Sequence, residues 1–277
     1  MHRKHHRLGL LVVSCIFYCA GVFFNHVYAL YTDVGTRSLS FRQAFSHRGE
    51  HKTVWPQKVP VLLYHYIEYV SDRGDTIRQS LDTPPHIFEK QLETLTTAGY
   101  TFMTMGELGD MFDGKKALPD KTVILTFDDG YRDFYTDAYP LLKKYRAKGT
   151  QYVITGYIGY KNYMTPKEIQ DIAGEGIVEL GAHTLHHVNL NASPPEEVVQ
   201  EIVGSKNELE KLIGKPVVSF AYPNGFSNAS IENAVKGAGF STAVGTKHGD
   251  MQSPSERYQV VRIRPGAAVG EELLTRL

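Results

Sequence analysis

Two adjacent carboxylates follow an apolar run in Thr126-Phe127-Asp128-Asp129-Gly130-Tyr131. Buried neighbouring carboxylates are costly unless a cation offsets their charge. Adjacent side chains point in different directions, so one can ligate a divalent cation while the other works as a base. Asp-Asp-Gly is also good turn chemistry, and on this hexapeptide alone a plain turn accounts for it equally well. A second group, His183-Thr184-Leu185-His186-His187, places histidines four apart, a spacing at which both can share one metal. His186 leaves some ambiguity within that group. One Asp and two His make three ligands with open positions, the layout of a hydrolytic metal site.

These residues need elements that bring them together. Apolar runs predict strands at 59–64, 100–102, 122–127, 151–155, 177–180, 217–222, 241–244 and 258–263. Helical spacing of Phe88, Leu92 and Leu95 behind Pro84-Pro85 predicts a helix ending at Gly99. Residues 66–82 read as a polar loop, and 132–146 and 228–238 as helices. Thr165–Glu168 and Ser193–Glu196 have the form of capping boxes. The second opens a long helix whose predicted buried face carries Val199, Ile202, Val203, Leu209, Leu212 and Ile213. Alternating strands and helices imply an α/β fold with a parallel sheet, closed as a barrel or open and doubly wound. His65, Asp128, Asp129, His183 and Tyr222 all fall at the C-terminal end of a predicted strand, the face where parallel barrels build their chemistry.

The 277 residues suffice for a sizeable core, and thirty basic residues balance thirty acidic ones. This balance gives no support for a nucleic-acid partner. No glycine-rich phosphate loop follows a strand, so no nucleotide cofactor is expected. The two cysteines, Cys15 and Cys19, lie in the N-terminal run, so a metal in the body must be held by His and carboxylate. Residues 2–7 are basic and Leu8 to Phe24 is uncharged. Residues 1–32 therefore read as a membrane anchor, or as a signal segment cleaved near Ala29, with the body outside the cytoplasm. Residues 33–57 read as a stalk and 58–277 as the catalytic domain.

The motifs resemble those of the polysaccharide deacetylases with a NodB-homology domain, carbohydrate esterase family 4. Thr126–Tyr131 is similar to the first motif, His183–His187 to the second and Phe220–Gly225 to the third. Val59–His65 and Pro84–Leu95 resemble the opening of the poly-N-acetylglucosamine deacetylase branch. The resemblance spans roughly residues 58–265. It implies a distorted (β/α)7-8 barrel of the NodB-homology type, holding a divalent metal, Zn2+ first, with Co2+ or Ni2+ as alternatives. It further implies Asp129, His183 and His187 as ligands, Asp128 as general base, and a backbone N–H near Tyr222 beside the oxyanion. His65 is implied as the acid that protonates the leaving amine, with His248 as the alternative. The third motif carries Ala221 where the family has an arginine that orients the base, and Arg262 or Arg264 is the expected replacement. Tyr131, Tyr222, Pro223, Asn224 and Arg262 are expected on the substrate side, with Tyr66 and Tyr69 near the site. The resemblance implies removal of N-acetyl groups from an N-acetylglucosamine polymer, poly-N-acetylglucosamine or peptidoglycan, at the cell surface. An O-acetyl esterase and a non-catalytic glycan-binding module of the same fold stay open.

Overall fold

The computed structural model describes residues 53–72 and 74–277. The expected anchor, residues 1–32, and residues 33–52 of the expected stalk lie outside the described residues. Among the described residues no helix is long and apolar enough to cross a membrane.

The strands are β1 (Gln57–Lys58), β2 (Val61–Tyr64), β3 (Thr101–Met103), β4 (Thr122–Phe127) and β5 (Gly149–Val153), then β6 (Val178–Ala182), β7 (Ser219–Ala221), β8 (Thr242–His248), β9 (Met251–Gln252) and β10 (Val260–Arg262). β1 pairs antiparallel with β9. The other eight form one sheet, β10-β8-β7-β6-β5-β4-β2 with β3 on β4, and every pairing in it is parallel. The two ends of this path meet. The Leu63 N–H donates to Ile263 O at 2.9 Å and the Ile263 N–H to Val61 O at 2.8 Å. A nearly closed barrel results. It is distorted because Ile124 pairs with both Val61 and Met103, while Phe127 pairs with both Tyr64 and Gln151. β3 and β5 therefore share one edge of β4.

Strand alternation decides what faces the barrel interior. Val61, Ile124, Tyr152, Ala221, Val244 and Val260 pack together inside. Leu62, Val123, Leu125, Leu180 and Phe220, one residue out of phase, join the core beneath the helices. Continuing the inner phase to the strand ends gives Val61-Leu63-His65, Ile124-Thr126-Asp128, Gly181-His183 and Val260-Arg262. The same rule that buries valines at mid-barrel thus aims these polar side chains at one point. Gly181 is needed on that face: a Cβ there would lie 2.5 Å from the Tyr152 ring.

Eight helices lie among the described residues: α1 (Thr76–Leu81), α2 (Pro85–Thr97), α3 (Met105–Phe112), α4 (Tyr139–Tyr145), α5 (Pro166–Glu175), α6 (Pro195–Ile213), α7 (Ala229–Gly237) and α8 (Gly270–Arg276). Several expectations change. The polar segment 66–82 contains α1, whose Arg78 N–H bonds the Asp75 carboxylate. The expected helix at 132–146 opens with a wide turn over Phe134–Ala138 before α4. α5 has its capping box, with Thr165 and Glu168 satisfying each other's backbone. The box at Ser193 does not form. α6 starts from Pro194 with no side-chain cap, because Pro195 already removes one orphan N–H and fixes the entry angle. Its buried face is Val198, Glu201, Ile202, Ser205 and Leu209, while Val199 is 50% exposed. The last residues of the expected stalk belong to the barrel body: Trp55 packs edge-on against Phe112 at 4.8 Å, and β1 pairs with β9.

Candidate active site

Asp128 follows β4 directly and is 3% exposed. Its Oδ1 accepts from Arg262 Nη1 and its Oδ2 from Arg262 Nη2, both at 2.8 Å. The guanidinium is fixed on its other sides by Gly245 O at 2.6 Å and Thr126 Oγ1 at 3.2 Å. Burial alone would raise the Asp128 pKa, but the Arg262 charge and its two hydrogen bonds outweigh this and hold the carboxyl well below the usual range. The arginine missing at Ala221 is thus supplied from β10. Its side chain is fully buried, so it cannot touch a polymer, and the expectation of Arg262 as a sugar contact gives way to one of positioning Asp128.

Asp129 turns away from its neighbour because its backbone is left-handed, with φ 77°, and Gly130 continues the turn at φ 82°. Its Oδ1 lies 3.3 Å from His183 Nε2 and 3.5 Å from His187 Nε2. Donor atoms that share one cation at bonds of about 2.1 Å stand roughly 3–3.4 Å apart. His183 Nδ1 donates to Ala221 O at 2.7 Å, which leaves Nε2 with its lone pair toward Asp129. The three residues form a group able to hold a metal. Two nitrogens and one oxygen with open positions suit Zn2+, Co2+ or Ni2+.

His186 does not join them. Its Nδ1 bonds Glu201 Oε1 at 2.7 Å, which settles the ambiguity in the histidine group. Thr184 and His187 take left-handed backbone at φ 65° and 57°. Such strain persists only where surroundings fix it. Here Thr184 Oγ1 donates to His183 O at 2.6 Å and accepts the His187 N–H at 2.9 Å.

His65, half-buried just after β2, feels the charges of Asp128, Asp129, Arg262 and Arg264. Burial is the largest influence and holds its pKa below the ordinary 6.5. His248 instead ends β8 as an exposed side chain.

The third motif is less directly involved than expected. The Tyr222 side chain is 1% exposed and packs into the core, and its N–H donates to Val244 O at 3.1 Å. Neither ring nor amide is available to substrate. Pro223 is buried too, whereas Asn224 is exposed on the rim in a left-handed conformation, φ 59°. Tyr131 is half-buried and stacks on Tyr66 at 4.1 Å.

Comparison with known proteins now decides the family. The family model "Polysaccharide deacetylase" matches residues 115–243. YxkH of Bacillus subtilis, a protein assigned to the polysaccharide deacetylases, is 33% identical over 217 residues, covering 78% of this chain and 75% of its own. This chain belongs to the polysaccharide deacetylase family. A poly-beta-1,6-N-acetyl-D-glucosamine N-deacetylase of Staphylococcus aureus is 28% identical over 203 residues, covering 68% of this chain and 69% of its own. The structure of the Streptococcus pyogenes deacetylase PplD in complex with acetate superposes with a TM-score of 0.74 at 31% identity, covering 80% of this chain and 98% of that one. The barrel is the NodB-type barrel of these enzymes, and the protein is a hydrolase of this class.

Two residues of the deacetylase escaped the sequence reading. Glu201, on the buried face of α6, accepts the N–H groups of Leu185 and His186 at 2.9 Å each, besides the His186 ring. One buried carboxylate thus ties down the loop between His183 and His187. The signal was a charge at a core-facing position of α6, hidden by the mis-rotated face. Glu201→Ala leaves the Leu185 and His186 N–H groups without their acceptor, while the exposed His186 ring can turn to water. Zinc affinity measured by calorimetry should fall about 10–100-fold, with Glu201→Gln in between.

The other is Asp133, whose Oδ2 accepts the Ile67 N–H at 2.5 Å, two residues beyond His65. Burial, against that bond and aided by the Glu68 charge, pushes its pKa up to about 7. The folded value thus lies above the unfolded one of about 3.9. Stability from this group is complete below the unfolded value and is lost as pH rises through the folded one. Asp133→Asn keeps an acceptor and removes the titration. Its melting temperature should exceed that of the wild type by a margin that grows from pH 5 to pH 8.

Proposed function

We propose that this polysaccharide deacetylase is a metal-dependent N-deacetylase of N-acetylglucosamine polymers, acting outside the cytoplasm. The observation that carries it is the Asp128–Arg262 pair set beside Asp129, His183 and His187, with His65 at the end of the neighbouring strand β2 and subject to the charge of both aspartates. Asp129, His183 and His187 would hold the cation, Zn2+ by preference. When bound, such a cation polarises the acetyl carbonyl and lowers the pKa of a water.

The chain's own residues do the rest. Asp128, oriented by Arg262, accepts a proton from the water that attacks the acetyl carbon. His65 gives a proton to the nitrogen as the carbon–nitrogen bond breaks. An amine leaves only with a proton, so a donor on this side suits an amide. Acetate and a free amine on the sugar are the products. Support for the polymer comes from the resemblance to the staphylococcal enzyme, whose substrate is poly-beta-1,6-N-acetyl-D-glucosamine. Support for an extracytoplasmic site comes from the basic cluster and uncharged run at residues 2–24.

Acetate release from N-acetyl and O-acetyl oligosaccharides, compared side by side, tests the chemistry. The N-acetyl substrate should have the larger kcat/KM, and His65→Ala should slow it more than the O-acetyl ester. Preference for the ester would overturn the amide reading.

A further inference from the structure

A cleft of about 480 Å³ opens beside the site, lined among others by Glu68, Arg78, Asp133, Asp137, Tyr160 and Tyr163. It connects to the centre through stacked rings. Tyr163 leans on Tyr131 at 5.0 Å, and Tyr131 stacks on Tyr66 at 4.1 Å. The Arg78 guanidinium caps the series, 4.4 Å from the Tyr66 ring centre. Tyr131 follows Asp129 by two residues and Tyr163 lines the cleft, so the two rings link the cleft to the group of Asp129, His183 and His187.

The outer wall is built rather than loose. Tyr160 is 63% exposed yet stacked on Tyr157, with ring centres 5.9 Å apart. Its turn is pinned by Tyr160 N–H to Tyr157 O at 2.9 Å, Tyr163 N–H to Tyr160 O at 3.0 Å and Arg132 N–H to Asn162 O at 2.8 Å. Arg78 pairs with Glu68, and Arg132 with Glu168. Asp133 and Asp137 join no ion pair among the described residues and keep acceptor capacity.

A pyranose ring offers an apolar face of C–H groups and a rim of hydroxyl donors. An exposed tyrosine and two carboxyl groups lining one cleft match both, and the volume is that of a small-molecule site. The geometry points to this cleft as a subsite for a sugar unit of the substrate chain beyond the unit that loses its acetyl group. The sugar face lies on Tyr160 and the hydroxyls bond Asp137 and Asp133. The inference rests on the deacetylase reading above and assigns the residues that sense chain length.

The test compares acetate release from the shortest N-acetylglucosamine oligomer turned over and from one two units longer, for the wild type, Tyr160→Ala and Tyr160→Phe. In the wild type KM should fall with length. Tyr160→Ala should raise KM about fivefold to tenfold on the longer chain with kcat unchanged, and less than twofold on the shorter. Tyr160→Phe keeps the ring face and should behave as wild type. Equal losses on both lengths, or no length dependence in the wild type, overturn the subsite and leave the deacetylase standing. No acetate at any length overturns both.

Discussion

Asp128→Asn is expected to lower kcat for acetate release by about 10²–10⁴-fold, the usual contribution of a positioned general base. The amide has nearly the same shape but cannot take the proton. The proposed ligands Asp129, His183 and His187 are untouched, so zinc affinity should stay within about threefold of the wild type. That split separates the two adjacent carboxylates, one for proton transfer and one for the cation. Retained metal with lost turnover is the expected pattern in paired calorimetry and kinetics. Normal turnover would remove Asp128 from the role of base. Loss of metal as well would mean that the two aspartates do not divide the work.

Arg262→Met carries the second large effect, and it reaches both stability and catalysis. The guanidinium and the Asp128 carboxylate are both buried, with side chains 0% and 4% exposed. Removing one member of such a pair leaves a buried charge without its partner, at a cost of about 3–5 kcal/mol. For a domain of this size the melting temperature should fall by about 6–20 °C. Activity should fall with it, because Asp128 loses both hydrogen bonds that aim it. The double variant Arg262→Met with Asp128→Leu replaces the pair by apolar side chains. It should recover much of the stability and none of the activity. Recovery of activity in the double variant would show that the pair serves the fold alone. A melting temperature unchanged in Arg262→Met would contradict the buried geometry.

The parts of the site legible in the sequence are those that follow from local pattern. Apolar runs ending in His65, Asp128 and His183 mark strand ends, and alternation along each strand turns these side chains inward. Arg262 or Arg264 could be named as the replacement for the absent arginine, because both sit at the end of the last strand. Which one reaches Asp128 depends on phase: Arg262 shares the inner face with Val260, and Arg264 is exposed. Features that depend on pairing between distant segments were not legible. The Tyr222 N–H is taken up by Val244 O, a partner set by the register of β7 and β8. Glu201 meets the histidine loop only because α6 packs back over β6. α3 was overlooked even though Thr104 and Glu107 form a capping box, since its apolar stretch is short and follows β3 directly.

Acetate release from N-acetylglucosamine oligomers by residues 33–277, before and after treatment with a chelator, tests the central claim most directly. The account predicts that release stops when the cation is stripped and returns on adding zinc, cobalt or nickel. Asp129→Ala and His187→Ala should stay inactive whatever metal is added. Release that continues unchanged after complete removal of divalent metal, or that survives the loss of His187, would contradict it.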